Sequence, residues 1–206
     1  MDVLKKILQH RMIKTILFAT HNEHKVKEVG QVLSLTNLRL KSLSEIGYHK
    51  EIIEDGLTLE ENAQIKSKHI FNLFQQDVIS EDTGLEVDHI NGAPGVHTAR
   101  YAGLHRNHDD NMDKLLDALK TTSNRGAQFR TVISLIFEGE YHLFEGICRG
   151  EIALKRMGVG GFGYDPIFIP EGYNESFGVL PESVKNEVSH RARAFSKLQA
   201  FLTNKI

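Results

Sequence analysis

The spacing of apolar residues changes along the chain, and this change limits the folds that the sequence can adopt. Up to residue 119, short apolar runs alternate with segments whose apolar residues recur every three or four positions, as in amphipathic helices. From residue 129, two long apolar stretches follow, separated by the turn-like pair Glu138-Gly139, which predicts a hairpin or meander. Helical spacing returns from Ser189. The pattern predicts a mixed α/β sheet covered by helices.

Local signals place individual elements within this pattern. Residues 14–19, KTILFA, predict a buried strand that is followed at once by a helix. The capping box Thr58-Leu59-Glu60-Glu61 predicts the start of a second helix. Residues 78–80 predict a short strand that runs into the polar segment EDTG. A third helix is predicted to begin at a cap formed by Asp109 or Asp110.

Length and composition are those of an ordinary folded chain. The 206 residues suffice for one large domain or two small lobes, and we expect a single domain over residues 14–206 behind an extension of residues 1–13. The formal net charge of −2 gives no global attraction for nucleic acid or an anionic membrane, so an anionic ligand must meet locally gathered cations. No apolar run approaches the ~20 residues of a membrane span. The single cysteine, Cys148, excludes an intrachain disulfide and predicts a reducing compartment, the cytoplasm.

A glycine-rich segment, GVGGFGYDPIF at residues 158–168, matches the G-x-G-x-x-G spacing of dinucleotide-binding turns. That spacing has its physical meaning only where a strand ends and a helix begins, because the helix N-terminus holds the pyrophosphate. Here Pro166 and Pro170 prevent a helix from continuing. We therefore expect a glycine-rich loop that leads into a short extended segment, and not a nicotinamide or flavin site.

The first polar cluster, residues 20–25, lies between the first strand and the helix that follows it. Backbone N–H groups and the helix dipole favour a phosphate at such a position. Thr20 and Asn22 can donate hydrogen bonds, and Lys25 adds a positive charge. The alternative is a loop with an asparagine cap and a solvated lysine.

A second polar cluster, residues 80–84, contains carboxylates at a strand end, where Mg²⁺ could be held by hard oxygen ligands. An acidic turn is the alternative. The segment that follows, residues 91–103, packs three glycines and a proline around Arg100 and Tyr101. Such a loop can bring backbone close to a ligand, although a structural turn explains it as well.

The third polar cluster, residues 185–191, offers several donors near the start of the last helix, among them Lys185, His190 and Arg191. Cations at a helix N-terminus oppose the macrodipole and are mildly unfavourable for stability. A site that receives an anion or the polar edge of a base would rationalise this local conflict.

Together these segments resemble, in order, the signature blocks of one family, the Ham1-like inosine/xanthosine triphosphate pyrophosphatases. ATHNEHKVKEV resembles the family's T-x-N-x-x-K-x-x-E opening, and the blocks similar to its other signatures are EDGLTLEENAQIKS, SEDTGLEVDHINGAPGVHTARYAG, FGYDPIF and KNEVSHR. The match runs from about residue 14 to 202, nearly the whole chain. Two departures are Val179, where an acidic residue is usual, and Thr83, which keeps the hydroxyl of the commoner serine.

The resemblance implies an elongated, twisted, mixed sheet flanked by helices, with two lobes around a central nucleotide-binding cleft. It implies a homodimer that hydrolyses ITP, dITP and XTP to the monophosphate and pyrophosphate, with Mg²⁺ as cofactor and no nucleic acid or membrane partner. By position, Asp82 is predicted to be catalytic, and Glu54 and Asp82 to serve the metal. The predicted substrate-binding residues are Thr20, Asn22, Lys25, Lys66, Thr83, Phe162, Gly163, Tyr164, Asp165, Lys185, His190 and Arg191. Among these, Phe162 is expected to stack on the purine.

Two other classes of protein stay open on the sequence. One is a non-catalytic nucleotide-binding protein of the same fold, which loss of a carboxylate at position 54 or 82 would have favoured; both are present. The other is a different nucleotide enzyme, either a Maf-like nucleotide pyrophosphatase with a different base specificity or the oxidoreductase that the glycine spacing suggests.

Overall fold

The computed structural model of the chain describes residues 14–33 and 38–205, with no side-chain description for 31–33. The predicted N-terminal extension, residues 1–13, lies outside these residues. The strands are β1 (Lys14–Phe18), β2 (Leu38–Ser42), β3 (Val78–Val87), β4 (Pro94–Gly95), β5 (Gly126–Phe137), β6 (Glu140–Ile152) and β7 (Phe168–Pro170). The α-helices are α1 (Glu23–Leu33), α2 (Leu59–Phe74), α3 (His108–Ala118), α4 (Glu182–Val188) and α5 (His190–Thr203).

A single sheet runs through the described part of the chain in the order β2-β1-β3-β5-β6-β7, and the short β4 pairs with β3. The β1–β2 and β1–β3 pairs are parallel, whereas the pairs from β3 onward to β7 are antiparallel. The predicted mixed α/β sheet flanked by helices is confirmed.

The hairpin of β5 and β6 lies between β3 and β7 in the sheet. Its two-residue turn is Glu138-Gly139, and both residues have positive φ, 52° and 82°. Positive φ at both turn positions matches the twist of the two flanking strands, and glycine adopts it without strain. The predicted hairpin is confirmed.

Apolar side chains form separate clusters in the two lobes. In one lobe, Phe18 of β1 packs edge to face against Phe195 of α5, with ring centroids 6.0 Å apart. In the other, Phe129 of β5 packs against Phe168 of β7 and lies in one cluster with Leu115 of α3. Burying each such side chain stabilises the fold by roughly 1.5–3 kcal/mol. Phe129 and Tyr164 of the second cluster line the cleft described below.

Two predicted boundaries are wrong. The strand predicted over residues 78–80 continues to Val87, because residues 78–87 pair in register with 127–136 of β5. The segment EDTG is therefore strand and not turn. Helix α3 is capped by Asn107, whose side chain accepts hydrogen bonds from the backbone N–H groups of Asp109 and Asp110, so those two residues are first-turn residues and not the cap.

The capping box at Thr58 and Glu61 is present as predicted, and it begins α2. The glycine-rich loop ends in a 3₁₀ turn, Asp165–Ile167, and the short strand β7, as the two prolines predict. The separate short helix α4 was not predicted. Within the described ranges no helix has the length and apolarity needed to cross a membrane.

Candidate active site

The cleft lies at the carboxyl end of β1, where β3 loses its neighbour on one side. Strand β3 pairs with β1 only at residues 78–79 and with β4 only at 85–86, so residues 80–84 have a free edge toward the cleft. The consecutive strand residues Glu81 and Asp82 both line the cleft. Ligands of open α/β sheets occupy such positions. The cleft volume is about 320 Å³.

Every predicted site residue lines this one cleft. They come from the loop after β1, the segment before α2, α2 itself, β3, the glycine-rich loop, and helices α4 and α5. The residues are Thr20, Asn22, Lys25, Glu54, Lys66, Asp82, Thr83, Phe162, Gly163, Tyr164, Asp165, Lys185, His190 and Arg191. Their placement follows from the fold, and their roles stay predictions.

The loop after β1 is held by its own side chains. The Oδ1 of Asn22 accepts hydrogen bonds from the backbone N–H groups of His24 and Lys25, at 3.0 and 3.3 Å, and so caps α1. The Thr20 Oγ1 accepts from the Asn22 N–H at 3.1 Å. The asparagine-cap alternative is therefore correct for the Oδ1 atom, but the amide NH₂ of Asn22 and the hydroxyl proton of Thr20 stay available as donors.

A buried lysine joins the two predicted metal carboxylates. The Lys66 Nζ lies 2.5 Å from Glu54 Oε2 and 3.1 Å from Asp82 Oδ1, while Asn62 Nδ2 donates to Asp82 Oδ2 at 3.3 Å. Burial alone would lower the pKa of Lys66, but Asp82 and Glu54 outweigh it and the pKa is raised. Lys66 is therefore an ammonium that holds both carboxylates in one place. Asn62 was not predicted, although it stands in the ENA segment of the capping-box block.

Arg191 is buried among carboxylates. Its Nε lies 3.1 Å from both carboxylate oxygens of Glu81, and its Nη1 contacts Glu28. Lys25 lies 2.9 Å from the same Glu81. The conflict inferred for a cationic helix start is thus already compensated inside the protein. Glu28 and Glu81 were missed as site residues, yet Glu28 is the final residue of the T-x-N-x-x-K-x-x-E motif.

This pairing makes stability depend on pH. Burial alone would raise the pKa of Glu81, but Arg191 and Lys25 lower it to about 2. A lowered carboxyl pKa stabilises the fold fully above the unfolded value near 4.5, and this contribution of about 3 kcal/mol is lost as the pH falls toward 2. We expect urea-unfolding free energies to decline over this window, and Glu81→Gln to make the decline shallower. An unchanged pH dependence in this variant would contradict the assignment.

Lys185 and Asp165 connect this charge network to the glycine-rich loop. Lys185 Nζ lies 3.0 Å from Glu28 Oε1 and 2.7 Å from Asp165 Oδ2. The same Asp165 oxygen accepts a hydrogen bond from the Phe162 N–H at 2.7 Å. Asp165 therefore positions the glycine-rich loop and Lys185 together. Ion pairs run in sequence through Lys25, Glu81, Arg191, Glu28, Lys185 and Asp165, and so link the loop after β1 to the glycine-rich loop that carries Phe162.

The Phe162 ring is already in contact with charged and aromatic neighbours. The His24 ring stacks on it with centroids 5.3 Å apart and planes 21° apart. Lys185 Nζ lies 4.5 Å from the ring centroid and Arg191 Cζ lies 5.6 Å from it. A purine that stacks on Phe162 would share the ring with these groups or displace His24, whose side chain is exposed.

Three of the predicted substrate-binding residues make hydrogen bonds to other residues of the protein. The buried Tyr164 hydroxyl donates to the Thr98 carbonyl at 3.0 Å, and burial raises its pKa. The Gly163 N–H donates to His108 Nδ1 at 3.2 Å. The Thr83 hydroxyl bonds that of Thr131 at 2.7 Å. These contacts brace the cleft walls.

His190 differs from its charged neighbours because it is neutral. It is 4% exposed and its ring stacks on Phe129, with centroids 4.6 Å apart. Burial, with Arg191 and Lys185 nearby, holds its pKa well below the ordinary value. Its Nδ1 is buried and makes no hydrogen bond to any described residue. A buried unpaired nitrogen at a cleft wall is a candidate for pairing with a ligand.

The fold and cleft define an α/β protein with a cation-rich crevice, in which a lysine-held carboxylate pair and an aromatic pocket share one site. A sequence model of the Ham1 family matches residues 16–201, so the chain belongs to the Ham1 family. The chain is 45% identical over 188 residues to the dITP/XTP pyrophosphatase of Flavobacterium johnsoniae, covering 91% of this chain and 97% of that relative. The solved structure of the Staphylococcus aureus Ham1 protein superposes with a TM-score of 0.86 at 37% identity, covering 94% of this chain and all of that one. The resemblance seen in the sequence is confirmed.

Proposed function

We propose that the protein hydrolyses non-canonical purine nucleoside triphosphates, ITP, dITP and XTP, to the monophosphate and pyrophosphate. The observation that carries this proposal is the single cleft that holds the Glu54–Lys66–Asp82 cluster together with Phe162 and His190. Relatives such as the Flavobacterium johnsoniae and Bacillus subtilis proteins bear the name dITP/XTP pyrophosphatase, the latter at 40% identity over 194 residues.

We propose Mg²⁺ as the cofactor, held by Glu54 and Asp82. No group of three or more His, Cys, Asp or Glu side chains forms a metal cage in the described part of the chain. Mg²⁺ does not need one, since it is usually bound through one or two carboxylates, waters and substrate phosphates. Glu54 and Asp82 fit, because Lys66 and Asn62 already direct both carboxylates to one place. When bound, the ion would neutralise phosphate charge.

The protein's own groups would supply positioning and charge. Lys25 and Lys66 would attract the phosphate chain, and Asp82 would orient the attacking water and take its proton. The water oxygen forms a bond to the α-phosphorus as the bond between that phosphorus and the α–β bridging oxygen breaks. Pyrophosphate then leaves with the bridging oxygen. Most of the rate enhancement in such transfers comes from positioning and electrostatics.

The products test the function directly. With Mg²⁺ and ITP, we expect IMP and pyrophosphate in equal amounts, measured by chromatography and by separate pyrophosphate and orthophosphate assays. Parallel incubations with GTP, UTP and NAD(P)H test the Maf-like and oxidoreductase alternatives. Orthophosphate as the first product, or binding of ITP without turnover, would contradict the proposal.

We further propose that the enzyme acts as a homodimer in the cytoplasm, with a nucleotide as its partner and no nucleic acid or membrane. The single cysteine and the small net charge support this placement. Light scattering at micromolar concentration should give twice the chain mass of 23.3 kDa. A monomeric mass would contradict the dimer.

A further inference from the structure

The turn that precedes α3, residues 98–102, is held in place by side-chain hydrogen bonds. Thr98 Oγ1 accepts from the Leu85 N–H at 2.8 Å and donates to the Gly95 carbonyl at 2.6 Å. The Tyr164 hydroxyl donates to the Thr98 carbonyl. The turn is therefore anchored both to β3 and to the glycine-rich loop.

The far end of this turn is held by Asn111 of α3, which is 1% exposed. Its Oδ1 accepts from the Ala102 N–H at 2.6 Å, and its Nδ2 donates to the Ala99 carbonyl at 3.1 Å. A buried amide that satisfies both sides of a turn sets the backbone between them rigidly. The residue carried between these anchors is Arg100, which lines the cleft.

Arg100 differs from the other cations of the cleft because no carboxylate in the described part of the chain pairs with it. The pairs formed by the others are Lys25–Glu81, Lys66–Glu54, Arg106–Glu51, Lys185–Asp165 and Arg191–Glu81, all within 3.1 Å. Among the residues that the structure describes, none makes an ion pair or hydrogen bond with the Arg100 side chain. Arg100 is half-buried, so its charge is partly removed from water without compensation.

We propose that Arg100 binds the phosphate chain of the nucleotide, a role that rests on the proposed function. A guanidinium presents planar donors that match phosphate oxygens in pairs, and a rigid backbone support lowers the entropy lost on binding. The phosphate chain would supply the negative charge that no described carboxylate supplies to Arg100. The structural-turn alternative for residues 91–103 accounts for the hydrogen bonds of Thr98 and Asn111 with this turn, but it does not explain why no described residue pairs with the Arg100 guanidinium.

The proposal separates phosphate binding from base recognition. Arg100→Ala should raise KM for ITP and for ATP by the same factor, about 10- to 100-fold, the effect of losing a charged hydrogen bond. The ratio of kcat/KM values for ITP and ATP should stay unchanged. Inhibition by inorganic pyrophosphate should weaken by a similar factor, whereas inhibition by inosine, which carries no phosphate, should be unaltered. Arg100→Lys keeps the charge and should recover part of the loss.

The controls address folding and the proposed function separately. Arg39→Ala removes an exposed arginine from β2, away from the cleft, and should leave all constants as in the parent protein. Circular dichroism of each variant checks the fold. Titration calorimetry with inorganic pyrophosphate requires no turnover, so weaker binding by Arg100→Ala supports the role of Arg100 even if no triphosphate is hydrolysed. Equal pyrophosphate binding by the parent and Arg100→Ala, or none by the parent, would overturn the proposal.

Discussion

Replacement of Asp82 by asparagine is expected to lower kcat for ITP by roughly 10²-fold or more, the range for loss of a positioned acid–base group. The substitution preserves the shape of the side chain and removes the charge that, in the proposed function, orients the water and serves the metal. The amide could still pair with Asn62, but it would lose its ion pair with Lys66, 3.1 Å away. Steady-state kinetics with ITP at saturating Mg²⁺ measure the effect.

A matched control is Asp117→Asn, because Asp117 is an exposed carboxylate on α3 whose nearest cation, Lys120, is 3.9 Å away. That variant should keep the parent's kcat, and both should give the parent's circular dichroism spectrum. Near-normal turnover in Asp82→Asn would remove Asp82 from the catalytic machinery. Glu54, on the other side of Lys66, would then be the carboxylate to test.

The parts of the fold that the sequence predicts well are those governed by local interactions. The β5–β6 hairpin depends on two neighbouring strands and on a turn pair that tolerates positive φ. The start of α2 depends on a hydrogen-bond exchange between Thr58 and Glu61, three residues apart. In each case the interacting groups are close in sequence, so the sequence pattern alone is enough to predict the element.

The length of β3 was underestimated because polar residues at a strand end resemble a turn. Glu81 and Asp82 stay in the strand because β5 supplies a continuous partner along that edge. Their negative charges are compensated by ion pairs with cations from other elements, Lys25 and Arg191 for Glu81 and Lys66 for Asp82. Arg191, which pairs with Glu81, is 110 positions away in sequence. No local pattern reports such a contact.

The same distance effect changes the interpretation of the donors at the start of α5. The sequence predicts unpaired cations that bind an anionic ligand. In the structure, Arg191 is instead paired with Glu28 and Glu81. Removing a partner from a buried ion pair costs about 3–5 kcal/mol, because the charges left behind have no compensation. A substitution at Arg191 would therefore perturb folding as well as binding. His190, neutral and with an unpaired Nδ1, offers a cleaner test of base recognition.

We expect the protein to prefer ITP over ATP by roughly 10⁴-fold in kcat/KM, as a site built to hydrogen-bond one group can do. Inosine presents a 6-keto acceptor where adenine presents a 6-amino donor. The cations Lys185 and Arg191 beside His190 create a positive field that favours the keto oxygen. The His190 Nδ1–H tautomer would donate to it, while an adenine amino group would leave polar groups unpaired in a desolvated pocket.

His190→Phe is the variant that tests this selection, because phenylalanine retains the ring that stacks on Phe129 and removes the nitrogen. We expect the ratio of kcat/KM for ITP to that for ATP to fall by about 10²-fold, mainly through loss of ITP turnover. Phe162→Ala is the matched comparison. Loss of stacking, worth about 1–3 kcal/mol per base, should raise KM for both nucleotides alike, since every purine has a π-face. An unchanged ratio in His190→Phe would assign base selection to backbone groups of the same pocket, and a changed ratio in Phe162→Ala would show that stacking discriminates.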